Sequence, residues 1–217
     1  LPGKDRIAER DFTEATRDPL RALARGQFAF ATAGGRELAL AALERAARAD
    51  AGKAREPWIR IRERLPEADR RYGNARIAYH AARQLDPAAN DWFREAGPAA
   101  LNAETQAWRV RAALRAGAWD DVLAAIDAMP EVQRQEAAWR YWRGRALSAQ
   151  GRTDDAAAIH AMLARETSFY GILAGEAIGQ RFAPPASMPH QPAPGALAAF
   201  GSRPEVKRVS KLAELEM

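Results

Sequence analysis

The 217-residue chain is 47% hydrophobic and contains no cysteine, so it can bury a sizeable core but offers no disulfide, thiolate metal site or cysteine nucleophile. A net charge of +5 and a pI near 9.9 favour anionic partners, yet arginine alternates with Asp and Glu instead of forming a basic block, the pattern of helices coated for solvent. No apolar run approaches the ~20 residues that cross a bilayer, and the Leu-Pro-Gly-Lys-Asp start has neither an initiator Met nor a signal-peptide core, so the chain reads as one whose processed end has been removed.

Residues 1–17 are polar, with a short helix expected around Ile7 to Phe12. Asp18-Pro19 reads as N-cap and first helical position ahead of Leu20, Leu23, Ala24, Phe28 and Ala31, with Gly34-Gly35 as the stop. Leu38, Ala39, Ala42, Leu43 and Ala46 carry the next helix, which is expected to dissolve into Asp50 to Lys53. Trp58, Ile61 and Leu65 predict a short helical turn after Pro57, broken at Pro66. Ile77, Ala78, Ala81, Ala82 and Leu85 form the stripe of a longer helix, and Asp86-Pro87 repeats the earlier cap before Trp92, Phe93 and Ala96.

From Gln106 to Gly179 the pattern recurs. Ala107-Trp108-Arg109 opens a helix that stops near Gly117, and Ala138-Trp139-Arg140 opens another that stops at Gly151. Trp119 to Met129 follows the first and Thr153 to Arg165 the second, each with an Asp-Asp pair, Asp120-Asp121 and Asp154-Asp155. The offset of roughly 31 to 34 residues is close to that of tetratricopeptide-type helix-turn-helix repeats. One hairpin cannot bury its own apolar face, so neighbours must stack on it. No segment sustains the alternation of a strand. The expected fold is therefore all-α, a curved solenoid of short helical hairpins over residues 1–182. Thr153 is placed to cap the helix it begins, and Gly144 to let a neighbouring backbone approach. Five prolines between Ala183 and Gly195 predict an extended connector, assigned to residues 183–203, and residues 204–217 regain helical periodicity through Val206, Val209 and Ala213.

Glu136-Ala-Ala-Trp-Arg-Tyr-Trp142, then Gly151-Arg152, Ser168-Phe-Tyr-Gly-Ile-Leu-Ala174 and Ala177-Ile-Gly179, resembles the superhelical domain of the soluble lytic murein transglycosylases. The resemblance extends to Ala78-Tyr-His-Ala-Ala-Arg83 with Trp92-Phe93, and Pro204 to Glu214 is similar to the first helix of that family's linker domain. It implies a right-handed superhelix bending into a ring or horseshoe, a periplasmic location after signal-peptide removal, and partners in peptidoglycan glycan strands and in the protein's own linker and catalytic domains. In that family a single Glu protonates the MurNAc-GlcNAc oxygen and then activates the muramyl C6 hydroxyl, giving a 1,6-anhydro product.

That chemistry is expected to lie in a lysozyme-like domain absent from these residues. Glu166-Thr-Ser168-Phe169 imitates the start of the catalytic signature, but the Gly-Leu-Met-Gln run is missing, so Glu166 reads as a solvated helix charge and no catalytic residue is assigned. His80, His160 and His190 each stand alone, without a second ligand at i+3 or i+4, so no metal or cofactor is expected. Trp139 and Trp142 fall at core positions, whereas Tyr141 points elsewhere and is the one candidate for stacking on a sugar ring. The expected role is a non-catalytic scaffold of a periplasmic lytic transglycosylase. The alternative is a free-standing repeat adaptor binding a peptide or protein in its groove. Nucleic-acid binding lacks any recognised module.

Overall fold

The computed structural model describes residues 7–181, 192–193 and 195–215. Regular structure among them is α-helical: α1 (Glu9–Arg17), α2 (Pro19–Arg25), α3 (Ala33–Ala49), α4 (Ala51–Arg62), α5 (Glu67–Arg83), α6 (Ala89–Ala96), α7 (Ala103–Arg115), α8 (Trp119–Asp127), α9 (Glu131–Arg134), α10 (Ala137–Ala149), α11 (Thr153–Leu163), α12 (Phe169–Ala177), α13 (Ala196–Gly201) and α14 (Pro204–Glu214). The chain divides into two compact units, Leu1–Arg181 and Phe182–Met217.

Small polar residues set the helix starts. Asp18, Thr32, Asp50, Asn102 and Ser168 each accept the backbone N–H three residues on, at 2.9 to 3.2 Å, which satisfies one of the donors a helix leaves unpaired. Thr32 overturns one expectation. Gly34-Gly35 does not stop a helix; α2 ends at left-handed Gly26, and the glycines lie in the first turn of α3. There is no room for a side chain at Gly35, because a Cβ would run into the backbone of Ala29.

Pro57 likewise opens no new helix. It lies inside α4, which Asp50 starts, and burial of Trp58 and Ile61 on the same helix offsets the missing N–H. Thr153 makes no cap, since it is already the first helical residue of α11 and Arg152 occupies the cap position. The short α9 after Pro130 carries no periodicity that the sequence could reveal.

Within the first unit each hairpin packs on its neighbours: α3 on α5, α5 on α7, α7 on α8, α8 on α10, and α10 on α11 and α12. Polar bridges between hairpins repeat with a similar stride. Glu44 reaches Arg76 across 32 residues, the Ala51 amide reaches Gln84 across 33, Asn90 reaches Asp121 across 31, and Gln133 reaches the Ala103 carbonyl across 30. The repeat seen in the sequence is thus a repeat of contacts, as a solenoid requires.

Three buried clusters follow one another along the chain. The first gathers Leu23, Leu43, Trp58, Ile77 and Phe93; the second Val110, Val122, Ile126 and Trp139; the third Tyr141, Leu163 and Ala174. Full burial of one large apolar side chain stabilises by about 1.5–3 kcal/mol.

Two close approaches lock neighbouring helices. The fully buried ring of Trp58 lies against Gly73, where a Cβ would overlap its six-membered ring, and its Nε1 donates to Asn74 Oδ1 at 2.7 Å. Gly144 faces the ring of His160, not a neighbouring backbone as expected.

In the second unit, α13 and α14 bury nothing, and Leu197, Phe200, Val209, Leu212 and Leu215 stand exposed. Residues 183–191 and 194 of the expected connector region lie outside the described residues, and residues 196–201 towards its end are helical. Ala196 to Phe200 are good enough helix formers to start a turn once the prolines end.

Candidate binding cleft

On α5, Arg76, Tyr79, His80 and Arg83 fall at i, i+3, i+4 and i+7, so they share one face of the helix. Glu44 and Arg48 on α3 and Glu104 at the start of α7 flank that face, and with Gln84 these residues line a cleft of about 610 Å³. The floor is a closed network. Arg76 grips Glu44 with two parallel bonds of 2.8 Å and sends a third, of 2.9 Å, to Thr105 Oγ1. His80 Nε2 lies 2.8 Å from Glu44 Oε1; an ionised carboxylate can only accept, so Nε2 carries the hydrogen.

Burial alone would raise the Glu44 pKa, but the bonds from His80 and Arg76 outweigh it and hold the carboxylate well below its usual range. Glu44 in turn raises the Arg76 pKa. Since both carboxylate oxygens are occupied by donors, this group braces α3 against α5 and is not poised to deliver a proton.

The rim differs from the floor. Tyr79 is buried and donates its hydroxyl to Glu104 Oε1 at 2.5 Å, and Arg83 Nη1 donates to the same hydroxyl at 3.1 Å. Desolvation, then the bond to Glu104, push the Tyr79 pKa upward. Among the described residues neither Arg83 nor Glu104 has an ion-pair partner. Arg48, 73% exposed, reaches only to 3.6 Å of the already occupied Glu44.

The residues singled out from sequence lie elsewhere. Tyr141 does not turn away from the core as expected. It is 5% exposed, packed between Trp142, His160 and Tyr170 with Arg145 on its hydroxyl, and so presents no open ring face to a sugar. The extra helix pair α11–α12 covers the side of α10 that a single hairpin would leave bare. Glu166 is half exposed and pairs with Arg140 at 2.5 Å. His160 is buried beside Gly144, and burial lowers its pKa; His190 lies outside the described residues. Among the described residues no group of three or more His, Asp or Glu is spaced to hold a metal ion.

Sequence spacing alone does not bring the cleft residues together, and His80 has no second ligand at i+3 or i+4 to mark it. The available signal was a polar i, i+3, i+4, i+7 set facing Glu44 one repeat stride away.

Solved structures of lytic transglycosylases share this helix arrangement. Lytic transglycosylase Slt from Pseudomonas aeruginosa, solved as an inactive mutant, matches with a TM-score of 0.68 and 24% identity over 94% of this chain and 34% of that one. The fold is lytic transglycosylase-like. The 70-kDa soluble lytic transglycosylase in complex with bulgecin A gives a TM-score of 0.64 at 23% identity over 97% of this chain and 35% of the other. The corresponding Escherichia coli enzyme gives 0.61 at 22% identity over 95% and 32%. This chain therefore spans about a third of the length of these lytic transglycosylases. No family model and no curated protein matches the chain. At these identities the likeness speaks for the lytic transglycosylase-like all-α superhelical fold, and for the fold alone.

Proposed function

We propose that this chain is the superhelical scaffold of a periplasmic protein that cleaves peptidoglycan by lytic transglycosylation, holding a catalytic domain and confining glycan strands while performing no bond cleavage itself. One observation carries the reading: the likeness to lytic transglycosylases runs through 94–97% of the chain, not through a single hairpin. The Trp139-Arg140-Tyr141-Trp142 and Phe169-Tyr170-Gly171 motifs support it. In this reading residues 1–182 are the superhelical domain, 183–203 the connector and 204–217 the first helix of a linker domain.

The acid that protonates a glycosidic oxygen needs a raised pKa. Among the described residues the displaced carboxylates move the other way: Glu95 is held down by the hydrogen bond from Arg55, and Asp121, despite burial, by Arg94 and Asn90.

The test uses purified sacculi. The chain should co-sediment with them and release no anhydro-muropeptide detectable by mass spectrometry, and the natural reading frame should continue past Met217 into a Glu-Ser, Gly-Leu-Met-Gln domain. Release of anhydro product by residues 1–217 overturns the scaffold reading, and a frame that stops at Met217 leaves the adaptor in its place.

A further inference from the structure

The rim of the cleft holds two opposite charges that the fold leaves uncompensated and ties together through one hydroxyl. Arg83 and Glu104 come from different helices, α5 and α7, yet both bond the same Tyr79 oxygen, at 3.1 and 2.5 Å. Tyr79 has little freedom to move, because its ring is buried and lies between the guanidinium groups of Arg76 and Arg83, at 4.3 and 5.6 Å from the ring centre. Tyr79 thus offers one fixed hydroxyl that both charged side chains reach. Arg83 retains the N–H groups that Tyr79 does not use, and Glu104 retains its second oxygen.

We propose that this rim binds the head group of a free α-amino acid, whose carboxylate and ammonium leave the same carbon and so match a cation and an anion held on either side of one hydroxyl. The carboxylate takes N–H donors from the unused edge of Arg83, and the ammonium donates to the free oxygen of Glu104. Neither charge on the rim then needs a second protein partner. Arg48 adds positive potential at the mouth, and the cleft of about 610 Å³ leaves room for the side chain of the amino acid. A simple anion fits less well. Arg83 attracts it and Glu104 repels it across the width of one hydroxyl, so a phosphate meets both signs at once. This amino-acid site goes beyond the scaffold role and does not depend on it.

Titration of the full chain at low ionic strength, followed by calorimetry or by backbone amide shifts, tests it with four probes: glutamine, N-acetylglutamine, glutamine α-amide and inorganic phosphate. Glutamine should bind saturably, and the two blocked forms and phosphate at least tenfold more weakly. Arg83→Gln should abolish the penalty for amidation while keeping that for acetylation, and Glu104→Gln should do the reverse. Both side chains are exposed, so the variants should keep the wild-type far-UV circular dichroism. Absence of saturable glutamine binding, equal binding of phosphate or N-acetylglutamine, or variants that leave the order of affinities unchanged would each overturn the proposal.

Discussion

Replacing Trp58 by Phe tests whether the contact between α4 and α5 is as tight as its geometry implies. The Trp58 side chain is fully buried, its six-membered ring lies against Gly73, and its Nε1–H fills Asn74 Oδ1 at 2.7 Å. Complete truncation of such a residue to Ala costs about 3–5 kcal/mol; the smaller change to Phe is expected to cost about a third of that. Stranding the buried Asn74 oxygen adds about 1–3 kcal/mol. The sum, about 2–5 kcal/mol, corresponds to a fall in melting temperature of roughly 5–15 °C for a unit of this size.

Gly73→Ala supplies the check. Alone it should destabilise, because overpacking by about 1–3 kcal/mol exceeds the gain of about 1 kcal/mol in helix propensity. In the Trp58→Phe background the obstructing ring atoms are gone, so the same methyl should be neutral or stabilising. Thermal and urea unfolding followed by far-UV circular dichroism measures all four proteins. An equal cost of Gly73→Ala in both backgrounds would refute the steric reasoning.

Acid should weaken the fold from two directions with one sign. Glu44 stays charged in the folded chain far below its ordinary value of 4.5, so its stabilising contribution is present above that pH and is lost as pH falls beneath it. His160, whose pKa burial depresses from 6.5 with Arg145 adding to the effect, takes up a proton more readily when unfolded, so stability also declines as pH drops below 6.5. Melting temperature should therefore decrease steadily from neutral pH to about 4, and His160→Gln should flatten the upper part of that curve. Gly144→Ala, which sets a methyl against the His160 ring, should destabilise by about 1–2 kcal/mol in urea unfolding, and by less in the His160→Ala background. Asn102→Ala removes the cap of α7 and should cost about 1 kcal/mol in the same assay.

The helical stripes were legible because burial imposes a period that a sequence must display: Ile77, Ala78, Ala81 and Ala82 are buried where the spacing puts them, as is Trp139. Glycine and proline were harder to read. Gly34, Gly35 and Pro57 carry the residue types that end helices, and whether they end one depends on a neighbouring cap such as Thr32 or Asp50 and on the packing around them. The cleft was hidden for a related reason. Glu44, Arg76 and Tyr79 are ordinary surface residues until stacking brings α3, α5 and α7 together, and no local pattern says which exposed charges a repeat will share with the next one.

Because the apolar interior is split into successive pieces, resistance to opening should be graded along the chain. The piece holding Tyr141, Leu163 and Ala174 is the smallest, so α11 and α12 can peel away while the helices around Trp58 stay closed. Within residues 7–181 the amide hydrogens there should exchange with deuterium earliest, and a protease or a stretching force applied to this end of the first unit would meet its weakest latch, leaving a shorter but intact coil behind.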